Sequence, residues 1–255
     1  MTDPQIFMHL TVSVKKGDGN ALERSQPMSF ANNLLMSLFR TAEVVVGSTS
    51  LPCSQNANPY VQYLYSLLSY GKGAQDTLLQ PSMWFRDAAM MFDANSANAI
   101  VANKGAASRS AWVHNGPMDL FGPLQLDICK MSRLLLNRLS LNLKLYRATD
   151  QFVLLTFAEN TVQYRVSIDR AELMVRRVRP RAQDIKWLET ELAKRAARYP
   201  LVMNTMITYS MPKGSQNVGE YNDAHTVQPH MTSHYITLHH IYICCYICCY
   251  IRLLI

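Results

Sequence analysis

Few side chains in the first 218 residues could carry out acid–base or nucleophilic chemistry. His9 and His114 are the only histidines there, and the sequence flags no nucleophile to accompany either. Asp87 and Asp93 lie six residues apart and could form a carboxylate pair for general acid–base catalysis, although loop or helix-end aspartates explain them as well. The chain has no Gly-x-Ser-x-Gly or His-Glu-x-x-His motif. The sequence therefore predicts no catalytic residue and no enzyme.

A glycine pair is the nearest approach to a nucleotide-binding loop. Gly71 and Gly73 stand in YGKGAQD. They lack the third glycine of a dinucleotide loop, and they follow a predicted helix where such a loop follows a strand. The chain also has no Walker-type Gly-Lys-Ser/Thr sequence. We therefore predict no nucleotide and no other cofactor.

The last 35 residues differ in composition from the rest of the chain. Residues 221–255 contain one acidic and one basic side chain, five of the seven histidines and four of the six cysteines. The cysteines form overlapping Cys-x-x-Cys pairs in CCYICCY, and zinc accepts such ligands. A zinc finger, however, alternates its ligands with packing residues and turn glycines, whereas this stretch is a low-complexity repeat. We predict no metal site, take 1–218 as the folded domain, and interpret 219–255 as disordered or as translated non-coding repeat.

The most visible polar feature is a run of basic residues late in the folded domain. Between positions 165 and 198 the chain has ten basic and five acidic residues. The densest part is VRRVRPR, which contains Arg176, Arg177, Arg179 and Arg181. This arginine cluster is a candidate nucleic-acid surface, because each phosphate contact releases a condensed counterion. It could also be a solvated face that is partly paired with Glu172, Asp184 and Glu189, and the segment lacks the interleaved aromatic residues of single-strand binders.

Composition and charge indicate a globular protein that is not secreted. Hydrophobic residues make up 49% of the 255, charged residues 17%, and the net charge is +7, which excludes wholesale disorder. The N-terminus carries Asp3, Pro4 and His9 where a secretory signal needs an uninterrupted apolar stretch. The run 241–251 of the tail, free of both charged residues and histidine, has eleven residues, against about 20 for a spanning helix. We expect no membrane partner, and a membrane anchor remains the third alternative.

The pattern of apolar residues predicts a mainly β fold. Two kinds of pattern, the alternation of apolar and polar side chains and runs of β-branched residues, predict about seven strands. They lie at 5–14, 43–46, 118–128, 139–145, 152–157, 162–178 and 201–211. Helices are predicted at 32–40, 60–70 and 183–198, and 88–110 is predicted to be a loop. In the second helix, Tyr60, Leu64, Leu67 and Leu68 form the face expected to be buried. Without regularly alternating helices the strands favour an antiparallel β-sandwich with helical insertions.

Five segments carry a resemblance to a known family. They are NPYVQYLYSLLSYG (58–71), MWFRDA (83–88), DLFGPLQLDICKMSRLLLN (119–137), LNLKLYRATDQFVLL (141–155) and ELMVRRVRP (172–180). In this order they resemble uncharacterised proteins of Polinton (Maverick) elements and adintovirus-like insertions in invertebrate genomes. Those proteins are similar to the jelly-roll capsid proteins of DNA viruses. The resemblance covers residues 5–218, and the family continues into a second β domain where this chain has its repetitive tail.

The resemblance implies a non-enzymatic structural protein. It implies a jelly-roll-like capsid subunit, of the major type in preference to the minor one, that self-associates into trimeric capsomers. It also implies a truncated copy of the family protein, located in a virion or inside a host cell. The arginine cluster would then face packaged DNA. The alternative functions are a basic, β-rich nucleic-acid-binding module and a membrane-anchored protein.

Overall fold

A computed structural model describes residues 6–17, 22, 28–89, 91, 102–131, 133–136, 139–156, 164–204 and 206, together with the backbone of 231–238 and 251–254. The strands are β1 (Ile6–Lys16), β2 (Met28–Phe30), β3 (Phe39–Val46), β4 (Thr49–Ser50), β5 (Met118–Pro123), β6 (Leu141–Arg147), β7 (Leu154–Thr156), β8 (Tyr164–Val175), β9 (Ala197–Asn204), β10 (Met231–Leu238) and β11 (Ile251–Leu254). The helices are α1 (Leu34–Ser37), α2 (Asn58–Ser69), α3 (Lys72–Gln75), α4 (Lys104–Val113), α5 (Asp150–Val153) and α6 (Ala182–Lys194). Short 3-10 helices lie at Gln80–Ser82 and Asp127–Lys130.

The longest strands form a three-stranded antiparallel sheet in the order β5-β1-β8. On β1, Met8, Leu10 and Val12 are fully buried, as their alternation predicts, because successive side chains of a strand point to opposite faces. Phe7, His9 and Thr11 lie on the opposite, outer face and are half-buried. A register shift between Thr11 and Val12 marks a bulge against β8.

A second sheet has the order β11-β6-β3-β4. Its pairs are antiparallel except β11 with β6, which is parallel. Two further antiparallel pairs are β2 with β7 and β9 with β10. The chain is therefore mostly β with antiparallel sheets and few helices, and that part of the sequence-based prediction is confirmed.

One apolar core joins the two larger sheets. Leu10 and Leu120 of the first sheet belong to the same buried cluster as Val44, Leu143 and Leu145 of the second. Each sheet buries the face on which its apolar residues alternate, and the removal of this area from water is the main driving force for folding. The predicted strands at 139–145 and 162–178 correspond to β6 and β8 within a few residues.

Helix α2 forms where predicted, but it faces the opposite way. Its polar residues Asn58, Gln62 and Ser66, spaced four apart, are buried, whereas Tyr60, Leu64 and Leu68 are 49%, 43% and 80% exposed. The predicted buried face was therefore wrong. Two of the buried polar side chains bond to distant segments: the Asn58 amide donates to the carbonyls of Met36 and Phe39 at 3.4 and 2.8 Å, and the Ser66 hydroxyl donates to Gln125 at 3.1 Å. The Gln62 amide donates to Asn58 Oδ1 at 3.3 Å, and its own Oε1 accepts no hydrogen bond from the described residues.

Several predicted boundaries were also wrong. The predicted helix 32–40 is only the single turn α1, because Phe39 already pairs with β6. The predicted loop 88–110 contains the start of α4, the strand of 118–128 ends at Pro123, and the stretch 152–157 begins inside α5. The strand predicted at 201–211 begins earlier, at Ala197, and residues 207–211 lie outside the described residues.

Candidate functional site

The arginine cluster lies in an extended linker between β8 and α6. Arg176, Arg177 and Arg179 are exposed, and Arg181 directly precedes α6, also exposed. Among the described residues, no carboxylate lies within salt-bridge distance of these four guanidinium groups. At Arg181 the backbone forms the contacts: its N–H donates to Asp184 at 3.3 Å, and its carbonyl accepts from the N–H of Ile185 at 3.1 Å. The predicted pairing with Glu172 is absent because Glu172 pairs with Arg170 at 2.6 Å. The cluster is therefore a set of solvent-facing cations in the part of the chain that the structure describes.

Aromatic and apolar side chains lie beside this cluster, on the outer face of the β5-β1-β8 sheet. Phe7 of β1 and Phe121 of β5 stack with their ring centroids 5.3 Å apart and their planes 2° apart. Phe7 is the cross-strand partner of Met174 on β8. Phe121 is 36% and Met174 49% exposed. We call Phe7, Phe121 and Met174 the outer apolar patch.

Sequence reasoning missed this patch because its members come from three strands. No aromatic residue lies within the arginine cluster itself, whereas Phe7 of β1 and Phe121 of β5 lie on the neighbouring sheet face. The alternation of side chains along each strand was the signal that could have shown it. Phe7 follows Ile6 and precedes Met8, and Phe121 follows Leu120, so both phenylalanines point away from the buried face.

The same outer face carries a group of charged residues next to the patch. His9 lies between Asp119 and Glu172, with Nε2 3.3 Å from Asp119 Oδ1 and Nδ1 3.6 Å from Glu172 Oε2. A hydrogen bond from the Thr11 hydroxyl at 2.6 Å lowers the pKa of Asp119. Hydrogen bonding from Arg170 lowers the pKa of Glu172. Both carboxylates are therefore ionised. Asp119 already accepts a hydrogen bond from Thr11, and Glu172 is already paired with Arg170.

Asp87, one member of the candidate acid–base pair, is buried in an ion pair. Its Oδ1 accepts from Arg109 Nη2 at 2.8 Å and from Asn103 Nδ2 at 2.9 Å, and its Oδ2 accepts from Asn32 Nδ2 at 2.9 Å. The side chains of Asp87 and Arg109 are 6% and 4% exposed. Asp93 lies outside the described residues. The arrangement fits a structural ion pair, since three donors hold this buried carboxylate.

Asn103 closes this buried network around the beginning of α4. Its Oδ1 accepts from the N–H groups of Gly105 and Ala106, which caps the helix, and also from Ala88 N at 3.1 Å. Its Nδ2 donates to the carbonyl of Met91 at 3.0 Å as well as to Asp87. Asn103 therefore ties positions 88 and 91 to the helix that follows them.

The structure also places the remaining candidates from the sequence. Gly71 precedes α3 and Gly73 lies within that four-residue helix, an arrangement unlike a phosphate loop. His114 directly follows α4. Cys53 borders a small crevice together with Gln62 and Asp127, and burial raises the pKa of its thiol, which keeps it protonated. Burial raises the pKa of Cys129 to about 12.

Neither a metal cluster nor a membrane span is found in the described part of the chain. No group of three or more His, Cys, Asp or Glu side chains there could hold a metal ion. No described helix is long and apolar enough to cross a membrane. Cys244, Cys245, Cys248 and Cys249 of the tail lie outside the described residues.

The geometry thus offers two candidate surfaces among the described residues: the outward face of α2, and the arginine cluster beside the outer apolar patch. Comparison of the chain with models of protein families, with curated proteins and with solved structures gives no match.

Proposed function

We propose that this protein is a structural subunit, a capsid-like building block encoded by a virus-derived mobile element, that works by self-association. The resemblance to the Polinton and adintovirus-like proteins suggests this role. The observation that carries it is the outward face of α2. Antiparallel sheets with inserted helices are compatible with a jelly-roll of the major capsid type, which would assemble as trimers.

The outward face of α2 has the properties of an assembly surface. Tyr60, Leu64 and Leu68 follow each other at intervals of four and so lie along one side of the helix. Tyr60 is steadied by an edge-on contact with Phe152, with ring centroids 5.8 Å apart. Contiguous exposed apolar patches of this kind mark interaction sites on soluble proteins.

A second copy of the chain fits this face because the helix has no charge. All twelve residues of α2 are uncharged. Identical charged surfaces repel each other, whereas two copies of a neutral apolar face can pair without placing like charges together. In a two-fold dimer this face would meet itself, whereas in a trimer it would pack against a different surface of the next copy.

Sedimentation velocity on the full chain tests the proposal. Leu64→Asp with Leu68→Asp should convert oligomers into monomers, because each α2 face would then place two unpaired carboxylates in an apolar interface. The loss of stability should be smaller than for a core substitution, since the two side chains are 43% and 80% exposed. Leu134→Asp, at a position 46% exposed outside α2, is the matched control and should leave the oligomers intact. Monomeric wild-type protein over the whole concentration range would refute self-association, and electron microscopy would show whether the oligomers are trimers or shells.

Nucleic-acid binding by the arginine cluster is the second candidate function. The observation that favours it is the exposure of Arg176, Arg177, Arg179 and Arg181, with no carboxylate at salt-bridge distance among the described residues. Cations held in this way remain available for phosphates. In a capsid subunit such a surface would face the packaged DNA.

A further inference from the structure

We infer that the outer face of the β5-β1-β8 sheet, together with the arginine cluster, is a binding platform for single-stranded nucleic acid. The inference rests on the second candidate function and deepens it by naming the form of nucleic acid and the residues that would contact its bases. Proteins that bind single strands combine a cationic track for the backbone with side chains on which bases stack. The two components occur side by side in this fold.

The stacking component is the outer apolar patch. Phe7 and Phe121 are held parallel to each other, so each ring is fixed in orientation by its neighbour. Adjacent strands lie about 4.8 Å apart, so a patch that extends from β5 across β1 to β8 is roughly 10 Å wide. That area matches one or two unstacked bases. In a duplex the flat faces of the bases are covered by their neighbours, so this patch favours a single strand.

The cationic component begins where the patch ends. Arg176 follows Met174 by two residues, about 7 Å along extended chain. The next arginines continue away from the sheet through the linker to Arg181. If the bases of a single-stranded nucleic acid lie on the patch, its phosphates reach the guanidinium groups at the end of β8 within one or two nucleotides of the stacked base.

The acidic residues of this face do not oppose the binding of a polyanion. Asp119 is engaged by His9 and Thr11, and Glu172 by Arg170 and His9. Glu172 lies in the row of Phe121 and Asp119 in the next row, that of Thr11, so both lie farther from the linker than Met174 does. Glu172 is paired with Arg170, whereas the linker arginines have no carboxylate at salt-bridge distance among the described residues, so a phosphate backbone is drawn to the linker end.

Fluorescence anisotropy with the full chain tests the platform. The probes are a labelled oligothymidylate of about 20 nucleotides, longer than the site of a typical single-strand module, and a duplex of equal length. Phe121→Ala should weaken binding of the single strand roughly 5- to 50-fold, the loss expected for one stacked base. It should leave duplex binding unchanged. Phe121→Tyr should retain affinity, because it keeps an aromatic ring.

Variants of the arginine cluster distinguish this platform from simple binding of polyanions. Replacing all four arginines of the cluster with Glu should weaken both probes and reduce the salt slope for the single strand by about 0.7 per lost phosphate contact. Lys72→Glu and Tyr146→Ala, both at exposed positions away from this face, are the charge and ring controls and should change neither probe.

The outcomes distinguish the inference from the functions on which it rests. If the arginine reversal weakens binding while Phe121→Ala and the more exposed Met174→Ala do not, the platform is refuted and the arginine surface stands. If wild-type protein binds neither probe at low salt, both are refuted. Self-association is read separately, by sedimentation without nucleic acid. Circular dichroism spectra and melting curves establish that each variant is folded, and Met174→Ala replaces Phe121→Ala if the latter fails this check.

Discussion

Arg109 and Arg177 carry the same guanidinium group in opposite surroundings. Arg109 is buried in α4, where its Nε donates to the carbonyl of Phe30 at 2.9 Å, its Nη1 to the carbonyl of Phe85 at 3.3 Å, and its Nη2 to Asp87. Arg177 is exposed in the linker after β8, with no carboxylate beside it among the described residues. The first arginine connects three segments of the fold, whereas the second is available to a partner.

The difference shows how to separate structural from functional charge in this chain. A buried charge must have its hydrogen bonds satisfied, because desolvation is costly without them. Arg109 and Asp87 meet that requirement through Asn32, Asn103 and two backbone carbonyls. The arginine cluster is exposed, and none of its four guanidinium groups has a carboxylate at salt-bridge distance among the described residues, so it makes no such structural tie there.

The largest expected effect breaks the buried side of this comparison. Arg109→Met should lower the free energy of unfolding by about 3–5 kcal/mol, because it leaves the carboxylate of Asp87 buried without its cation. Urea denaturation followed by circular dichroism measures this loss. Arg177→Met makes the same chemical change at an exposed position and should leave the denaturation midpoint unchanged. Equal shifts in the two variants would show that Arg109 has no special structural role.

The strands β1, β6 and β8 were the part of the fold that could be predicted from the sequence. The alternation of apolar and polar residues can be recognised within one segment, without knowledge of its neighbours. Because each of these strands buries one face, the alternation identified all three as strands. Helix α4 was missed because its sequence, KGAASRSAWV, has no apolar stripe. What stabilises it is the cap from Asn103 and the buried Arg109, and the cap was the one local signal that could have been recognised.

The orientation of α2 and the outer apolar patch could not be predicted in the same way. Hydrophobic periodicity assigns the apolar face to the core. In α2 the polar face is buried because acceptors from distant segments satisfy it: the carbonyls of Met36 and Phe39, and the side chain of Gln125. The patch likewise exists only after β1, β5 and β8 have paired. Both features depend on contacts between residues far apart in sequence.

A smaller effect is expected where backbone approaches backbone next to the ion pair. A Cβ atom at Gly105 would lie 2.6 Å from the carbonyl oxygen of Arg86 and 2.8 Å from Asp87 Oδ1. Gly105→Ala should therefore destabilise the protein by about 1–3 kcal/mol through overpacking. Gly73 is the matched control, since a Cβ there meets nothing within 4 Å. Gly73→Ala should be neutral or slightly stabilising, because alanine favours the helix. Equal decreases in melting temperature at both positions would show that the close contacts at Gly105 are not the cause.

The two cysteines of the folded domain extend the comparison to reactivity. Cys129 is fully buried and its pKa is raised to about 12, whereas Cys53 is half-buried with a pKa raised chiefly by burial and further by Glu43. The thiolate is the reactive form, so iodoacetamide at pH 8 should label Cys53 slowly and Cys129 only after unfolding. Peptide mapping by mass spectrometry after timed pulses distinguishes the two sites. Labelling of Cys129 as fast as Cys53 in native buffer would show that its surroundings open readily.

The smallest effect concerns a carboxylate held by two hydroxyl groups on β1 and β8. Asp169 Oδ2 accepts from the buried Ser13 at 2.7 Å, and Oδ1 accepts from Ser167 at 2.9 Å. These bonds, that of Ser13 first, lower the pKa of Asp169. A lowered folded-state pKa means that the stabilisation is present above the unfolded value of about 3.9 and is lost as the pH falls through the folded value.

Ser13→Ala should therefore raise the pKa of Asp169 toward its ordinary value and move the onset of acid unfolding to higher pH. Ser167→Ala removes the weaker of the two donors from a less buried position and should produce the smaller shift. Titration of the Asp169 carboxyl carbon by NMR measures both variants directly. If Ser167→Ala had the larger effect, the buried hydroxyl would not be the dominant donor, and burial would not strengthen this hydrogen bond as it strengthens the contacts of Arg109.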